Sequence, residues 1–264
     1  VIRKPLTTLR SALSLLTSRL ALQQIALGLI VFLLSLAWLR IPDATILEVI
    51  ATTLLALIIL ALAAGGETWI ILHLSATIVT PKRVLRGALL VLAGIALWFL
   101  WTALLDLLRT NDSLRAGYYN SRFPASMRNV FSYAHILQWL EDFWTALAWI
   151  GAGILTLLVF TATASVKPLR AMLCALRSVT YWLTVALGVI AATLITSALV
   201  DWVPGHTLRV ELVSLVLRLT LATLVDATIL CLVLAVLAVC VRESDHTTPA
   251  GTPEVSHPRT TEIP

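Results

Sequence analysis

Six long, nearly uninterrupted apolar runs constrain this chain more than any other feature: residues 20–39, 45–66, 87–108, 143–164, 179–202 and 212–241. Each reaches the roughly 20 residues that carry an α-helix across about 30 Å of hydrocarbon. Where no water can satisfy the backbone, only helices and closed barrels span a membrane. Barrel strands are short and alternate apolar with polar residues, whereas these runs are continuous in Leu, Ala, Val and Ile. Composition agrees, with 59% hydrophobic and 12% charged residues, against soluble averages of about 45–50% and about 25%. The expected fold class is all-α, a polytopic transmembrane helical bundle of six spans.

The charge alternates between connections. Arg3, Lys4, Arg10 and Arg19 precede the first run, Lys82, Arg83 and Arg86 fill the second connection, and Lys167, Arg170 and Arg177 the fourth. The intervening connections balance arginines with acids: Arg40 with Asp43, Arg209 with Asp201 and Glu211, and the third with Asp106, Asp112, Glu141 and Asp142. The positive-inside rule then predicts a cytoplasmic N-terminus and C-terminus in a bacterial inner membrane. Arg3, Lys4, Lys82, Arg83, Lys167, Arg170 and Arg177 are expected to meet anionic lipid headgroups. The net charge of +5 comes with no soluble basic domain that would hold nucleic acid. A basic arm before a full-length span reads as a retained first helix rather than a signal peptide.

Three units follow from this division: a basic amphipathic arm over 1–19, a six-helix membrane domain over 20–241 and a tail over 242–264, disordered by its Pro, Thr and Ser content. The basic segments resemble one another. Pro5, Pro81 and Pro168 each stand beside Lys or Arg, precede a helical apolar pattern and lead into a pair of spans, so the bundle reads as three repeated helical hairpins. In the third copy Leu169, Met172, Leu173 and Leu176 fall on one helical face, the pattern of an interfacial helix. Trp38 and Trp202 read as interface anchors, and Thr45, three residues before Glu48, as a helix N-cap, with Thr207 in the matching place before the last run. Between 109 and 142 lies the one long external segment. Its polar part to Phe123 reads as loop, and Pro124 with Met127, Val130, Phe131 and Ala134 as an interfacial helix feeding the fourth span.

The pieces Lys167-Pro168-Leu169-Arg170 and Tyr181-Trp182-Leu183, with the overall hydropathy, resemble six-span bacterial inner-membrane proteins of uncharacterised role. That resemblance implies a multi-pass inner-membrane protein and carries over no catalytic or binding residue.

Few residues are able to carry chemistry. Asp226 sits near the middle of the sixth run, where a carboxylate costs roughly 2.5 to 3.5 kcal/mol of insertion energy. Arg218 lies eight residues earlier, about 12 Å along a helix and too far for a direct pair; it is expected to snorkel or to meet Asp201, Glu141 or Asp142. Asp226 therefore needs a donor from another helix, with Thr193, Thr196 and Thr220 available, or water, or a proton of its own. Glu67 follows Gly65-Gly66, a pair able to break a helix, and is otherwise expected at headgroup level, with His73 on a different face. His135, Glu141, Asp142, Asp201 and His206 are metal-ligand types without a motif, and Cys174, Cys231 and Cys240 read as free thiols. No HExxH, GxSxG or Walker pattern occurs, and Lys4, Lys82 and Lys167 all lie outside the spans. The leading expectation is a non-enzymatic scaffold or accessory component, without cofactor or metal, whose partner is another membrane protein or a second copy. The alternatives are a small transporter or channel using Asp226, and an intramembrane enzyme in which Asp226 converges with Glu67, His73 or Asp106.

Overall fold

A computed structural model describes residues 5–42, 44–124, 126–201 and 207–246; Arg3, Lys4, Trp202, His206 and the tail beyond His246 lie outside them. The described chain is helical throughout: α1 (Pro5–Leu15), α2 (Ser18–Trp38), α3 (Ile46–Leu74), α4 (Pro81–Arg109), α5 (Asp112–Arg122), α6 (Tyr133–Ala164), α7 (Pro168–Leu176), α8 (Val179–Asp201) and α9 (Leu208–His246). Six of these, α2, α3, α4, α6, α8 and α9, are long and apolar enough to span a membrane. The molecule is a multi-pass membrane protein.

Local chemistry sets the helix starts. Pro5, Pro81 and Pro168 each open a helix, where proline's missing N–H goes unneeded. Thr45 and Glu48 form a reciprocal capping box at the start of α3, satisfying two orphan amides at once. The three basic segments nevertheless differ. A break at Leu16–Thr17 separates α1 from α2 and one at Arg177–Ser178 separates α7 from α8, but α4 runs unbroken from Pro81, so its basic residues are the first turns of the span itself.

The core is α9. The other spans show most of their surface to the outside, while α9 is encased over its C-terminal half, and Val233 to Val241 is buried on every face. A segment apolar all round belongs inside a bundle, and at 39 residues, about 58 Å at 1.5 Å per residue, α9 outruns the hydrocarbon. The two short helices α1 and α7 wrap the excess length: Thr8 and Ala12 of α1 and Ala171 and Ala175 of α7, each pair four residues apart, are buried, and both helices pack on α9. The apolar face expected to define α7 is divided: Leu169 and Leu173 are exposed, while Met172 and Leu176 pack against the core. Small side chains face the protein because they allow close approach, and the two exposed leucines are left for lipid.

Three expectations change. The pair Gly65-Gly66 does not interrupt α3, which continues two further turns to Leu74 and buries Ile70, Ile71, Leu72 and Leu74. The polar segment after Arg109 is helix α5 rather than loop, while the stretch after Pro124 forms turns and α6 starts only at Tyr133. Asp112, Ala116 and Asn120 share the inward face of α5. Asp112 accepts from Trp144 Nε1 at 2.5 Å and pairs with Arg115 at 3.0 Å, Ala116 is fully buried, and Asn120 donates to the Phe131 carbonyl at 2.7 Å. That face is polar and small, so an apolar periodicity does not report it. Finally, α9 extends through 242–246, residues assigned to the tail on composition. Arg242 donates to the Leu74 carbonyl at 2.7 Å, meeting one of the orphan carbonyls at the end of α3.

Candidate functional site

Depth can be read from α2. Its midpoint is Gly28 in the 21-residue helix, and a β-carbon on Gly28 would lie 3.4 Å from Ala227 Cβ. Asp226 is therefore at mid-membrane. Glu67 is not at headgroup level: Gln24 of α2, 2% exposed, donates to its Oε1 at 2.6 Å. Gln24 is one turn from Gly28, about 6 Å along the axis, so the two carboxyls differ in depth by roughly one helical turn.

Each carboxyl lines a cavity. Glu67, with Ile71, Trp98, Val159 and Leu234 among others, borders about 310 Å³ between α3, α4, α6 and α9. Asp226, with Trp149, Tyr181, Val185 and Ile229, borders about 290 Å³ between α6, α8 and α9. Ala152, Thr156 and Leu230 line both. The space exists because α6 lines it with Ala152, Gly153 and Thr156, residues too small to close the gap between helices held apart by their other neighbours. A third recess of about 440 Å³ lies between the first half of α6 and α8 and shares Trp149, Val185 and Val189 with the Asp226 cavity. Its walls include the exposed Ile150, Ile190 and Leu194, so it opens toward hydrocarbon, with Asp142 and Thr145 at one end.

The frame of this site is closely packed. Tyr181, fully buried, donates its hydroxyl to the Gly153 carbonyl at 2.6 Å and fixes α8 against α6. Gly188 lets α8 meet α9: a β-carbon there would come within 2.6 Å of Ile229 Cγ2. Asp226 itself is exposed on its cavity wall, and among the described residues no side chain or backbone N–H donates to it. Thr193 lines the α6–α8 recess and Thr220 turns back to the Val216 carbonyl.

The other expected site residues are elsewhere. Arg218 donates to the Leu199 carbonyl of α8 at 3.0 Å and to Ser214 of its own helix at 3.2 Å; a cation at a helix C-terminus meets both the carbonyls and the negative end of the dipole. His73 is exposed, stacks on Trp69 at 3.7 Å and bonds to the Trp69 carbonyl. Asp106 pairs with Arg109 at the exposed end of α4. The site thus joins Asp226 and Glu67 and leaves Arg218, His73 and Asp106 outside. Sequence reasoning missed Gln24. Its signal was a glutamine four residues inside an apolar run, a polar group that hydrocarbon tolerates only with a partner.

Comparison with protein-family models, curated proteins and solved structures gives no match to this chain. The site defines the class no further than a six-span membrane protein with two carboxyls on neighbouring recesses that share lining residues.

Proposed function

We propose that this chain is a small transporter or channel in which Asp226 and Glu67 handle a proton or small cation, and not an enzyme. The observation that carries this is the shared wall. Two intramembrane carboxyls, on α9 and α3, open onto adjoining cavities bounded by the same Ala152, Thr156 and Leu230. Ionisable groups in a bundle interior mark ion and proton pathways when they face a cavity with a second polar group nearby. Among the described residues no lysine or arginine lines either cavity, so a positive charge is the complementary one. A scaffold, favoured by the absence of enzyme motifs, leaves these neighbouring spaces without a use. The displacement of His73 and Asp106 supports a non-enzymatic role.

The orientation we propose puts α1, α7 and the start of α4 on the cytoplasmic side of a bacterial inner membrane. The exposed Lys82, Arg83, Lys167, Arg170 and Arg177 would face anionic headgroups there. The decisive experiment is flux in proteoliposomes, following protons with an internal pH dye and then Na⁺ and K⁺ under an imposed gradient. Wild-type protein should carry one of them, and Asp226→Asn and Glu67→Gln should each lower the rate toward that of protein-free vesicles. Flux at the protein-free level for all three ions in wild-type protein, or unaltered by both substitutions, would return the scaffold to first place.

A further inference from the structure

A recess of about 310 Å³ on the basic face shares no lining residue with the carboxyl cavities and differs from them in chemistry. It forms where the link after α3, the first turns of α4 and the end of α6 meet, and its polar lining is Thr77, Arg83, Arg86, Thr163 and Ser165, with no carboxylate among the described residues. Gly87 makes the recess possible. A β-carbon there would overlap the Thr68 methyl and come within 2.9 Å of Thr163 Cγ2, so α3, α4 and α6 converge only around a glycine.

The donors in this recess are poorly matched by acceptors. Thr163 turns its methyl to Gly87, and its Oγ1 is closed off from the recess. Arg83 commits one N–H to the Ile78 carbonyl at 3.3 Å, and the rest of its fork is available. Arg86, one turn on, adds a second guanidinium. Ser165 Oγ accepts from the Lys167 amide at 3.1 Å, which leaves its proton to donate. Two guanidinium forks and the Ser165 hydroxyl around a space of this size match a tetrahedral oxyanion, because arginine recognises phosphate through paired, charge-assisted hydrogen bonds. The level is that of the membrane surface, since α6 ends at Ala164 beside the recess. Val166 on its rim is 89% exposed, an apolar edge suited to the glycerol and acyl portion of a lipid.

We propose that this recess is a discrete phosphate site, occupied by the headgroup phosphate of an anionic glycerophospholipid. It is a fixed pocket rather than the diffuse attraction of a basic surface, and it does not depend on whether the carboxyl cavities transport anything.

The test is native mass spectrometry of the purified full chain in detergent, titrated with phosphatidylglycerol, with phosphatidylcholine and with inorganic phosphate. Wild-type protein should retain phosphatidylglycerol in preference to phosphatidylcholine. Arg83→Gln with Arg86→Gln should raise the apparent Kd at least about tenfold, and Ser165→Ala should raise it severalfold. Arg83→Lys with Arg86→Lys, which keeps the charge and loses the fork, should fall between. Lys82→Gln with Lys167→Gln, exposed beside the recess but not lining it, should leave binding within about twofold of wild type. An equal loss in the lysine pair would show diffuse attraction and overturn the site, as would an arginine-to-lysine pair indistinguishable from wild type. Displacement by inorganic phosphate at the same concentration as the lipid would assign the pocket to the free ion and overturn the lipid as its source.

Discussion

The Gln24–Glu67 contact gives the most exposed prediction, because it links two residues 43 positions apart inside the bundle. The perturbation is a double-mutant cycle of Gln24→Ala and Glu67→Ala. Interhelical hydrogen bonds in membrane bundles couple by about 0.6 kcal/mol on average and reach about 1.7 kcal/mol. This one joins a carboxyl oxygen to a donor at 2.6 Å with the glutamine only 2% exposed, which places it near the upper end, at about 1.5 kcal/mol. Gln24→Ala alone should cost about 2 to 3 kcal/mol, since it removes both the bond and a buried side chain. Glu67→Ala should cost less, about 1 to 2 kcal/mol, because it also removes an expensive polar group. For a chain of this size 1 kcal/mol shifts Tm by roughly 2–4 °C, so the coupling is worth about 3–6 °C. Cys231 and Cys240 are buried free thiols and Cys174 is exposed, so a thiol-reactive dye on a Cys174→Ser background reports unfolding on heating. Additivity of the two single losses within about 0.3–0.5 kcal/mol would refute the contact and remove Glu67 from the site.

Three further outcomes test the frame around it. Gly188→Ala should destabilise by about 1 to 3 kcal/mol, because its new methyl would lie 2.6 Å from Ile229 Cγ2; the same dye assay reads it, with the equally exchanged but unobstructed Gly65→Ala as the reference. Arg242→Met should free the Leu74 carbonyl at a cost of about 1.5 to 3 kcal/mol, seen as faster hydrogen exchange over residues 71–80 in detergent. Asp112→Asn should weaken the bonds to Trp144 and Arg115 and make the segment around residue 124 more readily cut by a protease added from the α5 side, while the six spans stay intact.

Features decided within one or two helical turns were legible in advance. The six spans follow from apolar length, the proline starts from the missing N–H, and the Thr45–Glu48 capping box from a spacing of three residues. Asp226 stood out for the same reason: its cost in lipid depends on its place in its own helix. Helix α5 was hidden because its inward face is Asp112, Ala116 and Asn120, held by a tryptophan of α6 rather than by apolar burial. Glu67 was set at the wrong depth because the apolar run stops at Gly66, although α3 does not.

By itself the sequence determined that this chain crosses a membrane six times as helices, since a backbone in hydrocarbon must satisfy its own hydrogen bonds and the apolar runs are long enough for little else. It could not determine which span becomes the centre, because lipid and protein are equally apolar and burial among helices leaves no contrast to read. Tertiary structure decided that: Gly28 and Gly188 let α2 and α8 close on α9, and the small Ala152 and Thr156 of α6 left the space onto which Asp226 and Glu67 open.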